Sequence, residues 1–432
     1  MAEYITNFTA GFEDAAAKRI LYELGGAVIL HVESGQIRFR YAGKPEFVAR
    51  LPFVNNSFAV ISQYKGAGLT FEQMARGAAR KTFKPTGAGA NPKARKSSDA
   101  RANQGSRFDP DDRANPGSRF DPDARAGSNA GNRSFRVRFS RENTFEKVPK
   151  NVLEIAELAI VRNTGFRVDR FRPDHEFWFI IRRDGPGYFA QLLKKPPSAY
   201  RDVPAGKAAR IAGATEAAGA ARAAGVAGRA GGAGATEAAG SVRAAGVADA
   251  ADVVNAGLYA GLSKGELRPE LAYLLCMGCD FDKSSVVCDP YAGYGAIPLC
   301  IQRHFAYGRM YVNDSDAQLA DRLRKTRLGA DRGVVITNTD AAGLRHIESG
   351  GVDLIITDPP WGSFRRIDNI EAFYRSALAE MKRIIAPGGR IVLLTGKPAE
   401  MAAAAKRVKL RVTSRVNILV NGKKASVFTL TT

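Results

Sequence analysis

A carboxylate, two prolines and an aromatic ring stand side by side at Asp358, Pro359, Pro360 and Trp361. These residue types suit a flat substrate that bears an amine. The lone pair of an exocyclic amine on a nucleobase is delocalised into the ring, so the nitrogen is a poor nucleophile. A carboxylate at Asp358 and the carbonyl of Pro359 would both accept its N–H bonds. They would hold the nitrogen and stabilise the positive charge that develops on alkylation. Trp361 offers a face on which a base can stack. The plain alternative is a strand that ends in a Pro-Pro turn with a packed Trp.

A second set of acidic residues lies upstream. Asp289-Pro-Tyr291-Ala-Gly293-Tyr-Gly295 combines a carboxylate with two glycines that let a backbone approach a ligand closely. It lacks the dinucleotide spacing and the Walker lysine, so neither NAD nor ATP is favoured. Asp314 follows about 20 residues past this turn, a position that suits a carboxylate on ribose hydroxyls. Asp340 could accept from an adenine amine. A bare Gly-x-Gly is often only a structural turn, but four acidic strand ends in succession point to a site.

These residues need strands to carry them. Leu354 to Ile356 is a short apolar run and is expected to be a buried parallel strand that stops at the prolines. Val286 to Asp289, Gly308 to Asn313, Val334 to Thr337 and Arg390 to Thr395 have the same character. Helical spacing precedes the first of them at 266–275 and separates later ones at 317–328 and 373–385. Alternation of this kind implies a mainly parallel α/β sheet with helices on both faces. Asn421-Gly422 between two apolar runs predicts a closing hairpin that adds an antiparallel edge. Ligands of such sheets bind at the carboxyl ends of the strands, where all four aspartates fall.

The front half has a different pattern. Residues 1–83 mix short helices and strands, with a hairpin expected at Ser34-Gly35, and form an α+β module. Residues 84–133 contain a 12-residue repeat rich in Gly, Pro, Asp and Ser. With no periodic apolar face it is expected to be a disordered insertion. Residues 134–203 regain pattern, and Arg136, Arg138, Arg182 and Arg183 interleave with Phe135 and Phe139. Cations among aromatic rings suit RNA, though solvated strand faces carry the same pattern. Residues 204–254 form an Ala/Gly-rich block with a 21-residue repeat, the composition of a flexible linker. Residues 255–432 hold the acidic series.

The net charge is +21, with +8 in residues 255–432 and +13 in the remainder. Because both halves carry the excess, a polyanionic partner is expected, nucleic acid before others. Cys276-Met-Gly-Cys279 is a lone pair without two further ligands, and Cys288 and Cys300 fall on core positions. No metal site is therefore expected. Neither a signal peptide nor a membrane span is apparent, which implies a cytoplasmic protein without a membrane partner.

Asp-Pro-x-x-Gly-x-Gly, an acidic strand end, a further Asp and then Asp-Pro-Pro-Trp resemble the class I S-adenosylmethionine-dependent methyltransferases that act on base amines. Among them the chain is similar to the THUMP-domain guanine-N2 RNA methyltransferases, in which Gly265-Glu-Leu-Arg-Pro269 also has a counterpart. The likeness is strongest over residues 258–432 and extends more loosely over 134–195 and 1–83. It implies a Rossmann-like, mostly parallel seven-stranded sheet with a C-terminal antiparallel hairpin, behind an α+β ferredoxin-like and THUMP RNA-binding region. It implies S-adenosylmethionine as cofactor, with Asp289, Tyr291, Gly293 and Gly295 at the methionine end, Asp314 on the ribose and Asp340 on the adenine. Asp358 would border that site and, with Pro359, Pro360 and Trp361, hold the target base. The expected activity is methylation of guanosine N2 in tRNA. The alternatives are guanine-N2 methylation in rRNA, adenine-N6 methylation of RNA or DNA, and a non-catalytic RNA-binding protein of the same fold. The motif commonly ends in Tyr or Phe, so Trp361 is a departure. The two repeat-rich insertions are not features of the family.

Overall fold

The computed structural model describes residues 1–66, 68–86, 133–142, 144–182, 186–194, 265–363, 366–420 and 422–432. The chain forms two compact units, Met1–Lys195 and Pro196–Thr432. Nearly all of both repeat-rich segments, together with Arg183, Phe364 and Asn421, lies outside the described residues.

The first unit is α+β. Its strands are β1 (Ala2–Asn7), β2 (Val28–Glu33), β3 (Gln36–Tyr41), β4 (Asn56–Tyr64), β5 (Ser134–Arg141), β6 (Thr144–Phe145), β7 (Arg167–Val168), β8 (His175–Ile181) and β9 (Gly187–Lys194). They form one sheet in the order β2-β3-β1-β4-β9-β8-β5-β6, with β7 beside β5. The antiparallel pairing of β4 with β9 joins residues from before and after the first insertion in a single sheet. Four of the strands, β1, β4, β6 and β7, went unrecognised in the sequence.

Helices α1 (Glu13–Glu23), α2 (Pro45–Ala49), α3 (Phe71–Ala79) and α4 (Lys150–Thr164) accompany this sheet. Thr70 and Gln73 close a reciprocal capping box at the start of α3. Apolar faces of α3 (Phe71, Met74, Ala78) and α4 (Val152, Ala156, Ile160) pack on Phe135, Phe139, Phe177, Phe179 and Phe189. Each such fully buried large side chain contributes roughly 1.5–3 kcal/mol.

The second unit begins with α5 (Pro269–Met277), whose proline occupies the first turn, where no N–H is needed. There follow β10 (Val286–Asp289), α6 (Ala296–His304), β11 (Arg309–Asn313), α7 (Ala317–Arg324), β12 (Val334–Thr337), β13 (Val352–Thr357), α8 (Ile370–Ile384), β14 (Ile385–Thr395), α9 (Pro398–Arg407), β15 (Arg411–Val420) and β16 (Lys423–Thr431). The seven-stranded sheet runs β12-β11-β10-β13-β14-β16-β15. From β10 the chain builds outward through β11 and β12, then returns to β13 on the other side of β10. That reversal opens a crevice at the carboxyl ends of β10 and β13.

The expected C-terminal hairpin closes the sheet, and two details go beyond the sequence expectation. The antiparallel strand is β16, and it lies inside the sheet, between β14 and β15. Burial explains the order: Val427, Phe428 and Leu430 are buried, whereas β15 is mostly exposed. In addition, β14 starts at Ile385 and continues through Pro387 and Gly389, with an irregularity opposite Val352 and Leu354. A proline is tolerated where the ladder is already broken. Helix α9 was not foreseen. Among the described residues, no helix is long and apolar enough to cross a membrane.

Candidate active site

Asp289 is the last residue of β10 and is buried, 1% exposed. Its Oδ1 accepts the Thr357 hydroxyl at 2.8 Å and the Tyr291 backbone N–H at 3.2 Å. Its Oδ2 is buried and has no partner among the described residues. An acceptor left this way costs free energy until a donor arrives. Burial pushes the Asp289 carboxyl up to about 8, and nearby Asp314 and Asp358 add to the rise. A cationic donor placed there would satisfy the oxygen and reverse the shift.

The glycine turn follows. Gly293 (φ +53°) would carry a Cβ into open space, so its backbone faces the crevice. Gly295 (φ +90°) begins α6, and a Cβ there would stand 2.6 Å from Leu323 Cδ2 on α7. The positive φ favours glycine, and a Cβ would also push the Leu323 side chain aside.

Asp314 follows β11 and anchors this turn. Its Oδ2 accepts the Gly293 N–H at 2.7 Å, and its Oδ1 accepts the Asp316 N–H at 2.9 Å. Each oxygen retains a lone pair for a further donor. Asp340 is exposed beyond β12, and its Oδ1 accepts from the Ala342 N–H at 2.9 Å. Tyr291 packs against Phe373, with ring centroids 5.8 Å apart. Burial, then Asp340, Tyr374 and Asp314, raise its phenol well above the ordinary range.

Asn313 was not singled out in the sequence, yet it ties three loops together. Its amide donates to Pro290 O at 3.1 Å and to Thr339 O at 2.9 Å, while its Oδ1 accepts from the Thr337 and Thr339 hydroxyls and the Thr339 N–H. A polar residue ending the apolar strand Met310–Val312 was the available signal.

Asp358 follows β13 and is half-buried. Burial pushes its carboxyl up to about 7, and the Trp361 indole N–H pulls the other way by donating to Oδ1 at 2.9 Å. Pro359 is buried and Pro360 exposed. The Pro360 carbonyl accepts the Tyr374 hydroxyl at 3.0 Å. The Tyr374 oxygen also lies 3.0 Å from Thr395 Oγ1, which accepts the Lys397 N–H at 2.9 Å. A consistent donor chain runs from Lys397 through Thr395 and Tyr374 to Pro360. It fixes the turn behind Asp358 to α8 and to the end of β14.

Three of the four arginines expected on RNA make contacts within their own unit, and the fourth is not described. Arg136 pairs with Glu176 at 2.6 Å, and Arg182 pairs with Glu33 at 3.1 Å. Arg138 lies over the Phe145 ring, 5.0 Å from its centroid, and burial lowers its pKa. Arg183 lies outside the described residues. Arg136, Arg138 and Arg182 are thus held by their own unit.

A doubly wound sheet in this order, with a glycine turn after its first strand and acidic residues at the ends of the next three, is the Rossmann-like fold of class I methyltransferases. Residues 306–425 match the family model described as UPF0020, RMKL-like, methyltransferase domain. The chain is 31% identical over 184 residues to a human protein named tRNA (guanine(6)-N(2))-methyltransferase THUMP3; the match covers 38% of this chain and 36% of that protein. The chain thus spans about a third of the length of the curated relatives it matches. It shares its fold with the crystal structure of TrmN from Thermus thermophilus, with a TM-score of 0.63 and 18% identity, covering 100% of this chain and 99% of that one. The structure of SMU.472 complexed with SAH is similar at a TM-score of 0.55 and 11% identity, covering 99% of this chain and 97% of that one.

Proposed function

We propose that this protein methylates the exocyclic N2 amine of a guanosine in RNA, with tRNA as its substrate and S-adenosylmethionine as methyl donor. The observation that carries the reading is the Asp358 carboxylate, held on one oxygen only, at the switch point of the sheet and next to the unsatisfied oxygen of Asp289. The names of the curated relatives support RNA and guanine N2 over the other amino bases.

The residues present fit the cofactor. Asp289 Oδ2 is a buried acceptor suited to its ammonium group, Gly293 leaves room for its methionine end, Asp314 retains lone pairs for ribose hydroxyls, and Asp340 is free to meet an adenine amine. When bound, S-adenosylmethionine supplies an electrophilic methyl group. The protein's part is to place and charge the amine. Asp358 Oδ2 and the Pro359 carbonyl accept its two N–H bonds and localise the lone pair on nitrogen. As positive charge develops there, the carboxylate stabilises it and then receives the proton. A guanosine paired inside a helix would have to be flipped out to reach this edge.

In this reading residues 255–432 are the catalytic domain, residues 1–83 and 134–203 bind RNA, and 84–133 and 204–254 are insertions. Action in the cytoplasm belongs to the same reading. The test is tritiated methyl transfer to total tRNA, rRNA and duplex DNA, with the label identified after digestion to nucleosides. N2-methylguanosine in tRNA, lost in Asp358→Ala, is expected. Label only in methyladenosine, or only in rRNA or DNA, overturns the substrate assignment.

A further inference from the structure

Trp361, expected to stack on the base, also makes contacts within the protein. Its Nε1–H donates to Asp358 Oδ1 at 2.9 Å. Its ring lies against Gly396, just past the end of β14. A Cβ at Gly396 would collide with Trp361 Cε3 and stand 2.9 Å from Cδ2. The main chain between the two residues is held as well, because Tyr374 bonds the Pro360 carbonyl. The indole is therefore located on its edge by a carboxylate, on its ring by a glycine, and through its backbone by a tyrosine. Stacking on a mobile base needs none of these contacts.

We propose that Trp361 is a positioning residue: its indole N–H takes Asp358 Oδ1, leaving Oδ2 as the oxygen presented to the substrate amine, and Gly396 is the seat that keeps the indole there. The inference rests on the function proposed above.

The physical reason is the poise of the carboxylate. Asp358 works only when ionised, and it sits where ionisation is disfavoured. Burial raises its pKa to about 7 against the pull of Trp361. Among the described residues no cation offsets this burial: Asp289 of β10 itself holds its proton up to about 8, and Tyr374 of α8 is a neutral phenol with Glu400 of α9 beyond it. The indole N–H is thus the donor that holds Asp358 ionised and in one orientation near neutral pH.

Trp361→Phe separates the two tasks, since Phe can stack but cannot donate. Wild type and variant are compared for methyl transfer to tRNA between pH 6 and 9. Positioning predicts that the acid limb of kcat moves up by about one unit. That gives roughly tenfold lower kcat at pH 6.5, recovery near pH 9, and a KM for tRNA within about twofold. Equal kcat at every pH, or a uniform loss with an unmoved limb, overturns the proposal.

A second measurement does not depend on activity. The chain has two tryptophans, so Trp178→Phe leaves Trp361 as the only indole. Its emission should titrate with a midpoint near 7, and Asp358→Asn should abolish the titration. Flat emission, or a titration that survives Asp358→Asn, overturns the positioning role even in an active enzyme. The expected titration in a protein that methylates no nucleic acid supports the contact and removes the function instead.

Discussion

Thr357 donates its hydroxyl hydrogen to Asp289 Oδ1 over 2.8 Å and so ties the last residues of two neighbouring parallel strands, β13 and β10, at the mouth of the crevice. The bond fixes the carboxylate with one oxygen engaged and the other, Oδ2, buried and unpartnered. An incoming ammonium group would be met by a preoriented acceptor in a low-dielectric site, where a charge-assisted bond contributes about 1.5–3 kcal/mol. Asp289→Asn should therefore weaken binding of S-adenosylhomocysteine by roughly 10- to 100-fold in calorimetry. The wild-type affinity should also climb between pH 6.5 and 8, because Asp289 holds its proton up to about 8 in the free protein. An unchanged dissociation constant in the variant would remove Asp289 from the site.

Asp358 should impose a measurable cost in stability. Its folded pKa of about 7 lies above the ordinary value of 3.8, so the folded chain binds this proton more tightly than the unfolded chain. The group's contribution is most favourable below pH 3.8 and is lost as pH rises through 7. Asp358→Asn keeps an acceptor for Trp361 and cannot ionise. Its melting temperature should exceed that of wild type by more at pH 8 than at pH 5. Because Asp358 is partly solvated, a difference of about 1 kcal/mol, or roughly 2–4 °C, is expected. At pH 8 the same variant should lose methyl transfer by about 100-fold or more. An equal difference at both pH values would mean that Asp358 ionises freely.

The site was legible in the sequence to the extent that it sits on strand ends. Asp289, Asp314, Asp340 and Asp358 each come just after or at the end of a short apolar strand, and that pattern needs no tertiary context. Tyr374 and Gly396 were not legible. Tyr374 lies on the apolar stripe of α8, indistinguishable by spacing from core residues such as Leu378. Gly396 matters only because Trp361 folds back on it, a contact between strands that no local pattern encodes. The position of β16 was missed for a similar reason: a hairpin signal gives the pairing of β15 with β16 but not which strand faces β14. The basic strand around Arg136 showed the reverse failure. Its charges were visible, while Glu176, the partner 40 residues away, was not.

Removing the Tyr374 hydroxyl tests how much the Pro-Pro turn must be held. Tyr374→Phe leaves the Pro360 carbonyl and Thr395 without their shared partner. Loss of a buried hydrogen bond costs about 1–3 kcal/mol. Part of that cost should appear as misplacement of Asp358, so kcat should fall roughly 5- to 50-fold. Affinity for S-adenosylhomocysteine should hold within about twofold, since Asp289 and Gly293 lie on another strand end. A parallel loss of kcat and cofactor affinity would instead mean that the whole crevice had collapsed.

The four cysteines should be chemically silent. Cys276, Cys279, Cys288 and Cys300 are all buried. Burial pushes the Cys279 thiol up to about 12 and raises Cys276 and Cys288 well above the ordinary thiol range. The thiolate is the reactive form, so iodoacetamide at pH 8 should modify none of them in the folded protein and all four in denaturant. Rapid labelling of Cys279 under native conditions would show that α5 opens at its carboxyl end.

Arg136 should prove structural in a way that its sequence setting did not suggest. Its guanidinium meets Glu176 at 2.6 Å on adjacent strands β5 and β8, and the two side chains are only 14% and 9% exposed. Deleting one member of such a pair leaves the other buried and charged, at a cost of about 3–5 kcal/mol. Arg136→Ala should therefore lower the melting temperature of the first unit by several degrees, and Arg136→Ala with Glu176→Gln should recover part of the loss. A phosphate contact predicts a different result. Affinity for tRNA would then fall across all salt concentrations, and the slope of log affinity against log salt would shrink by about one. An unchanged salt slope with a lower melting temperature assigns Arg136 to the fold. The reverse pattern returns it to the RNA.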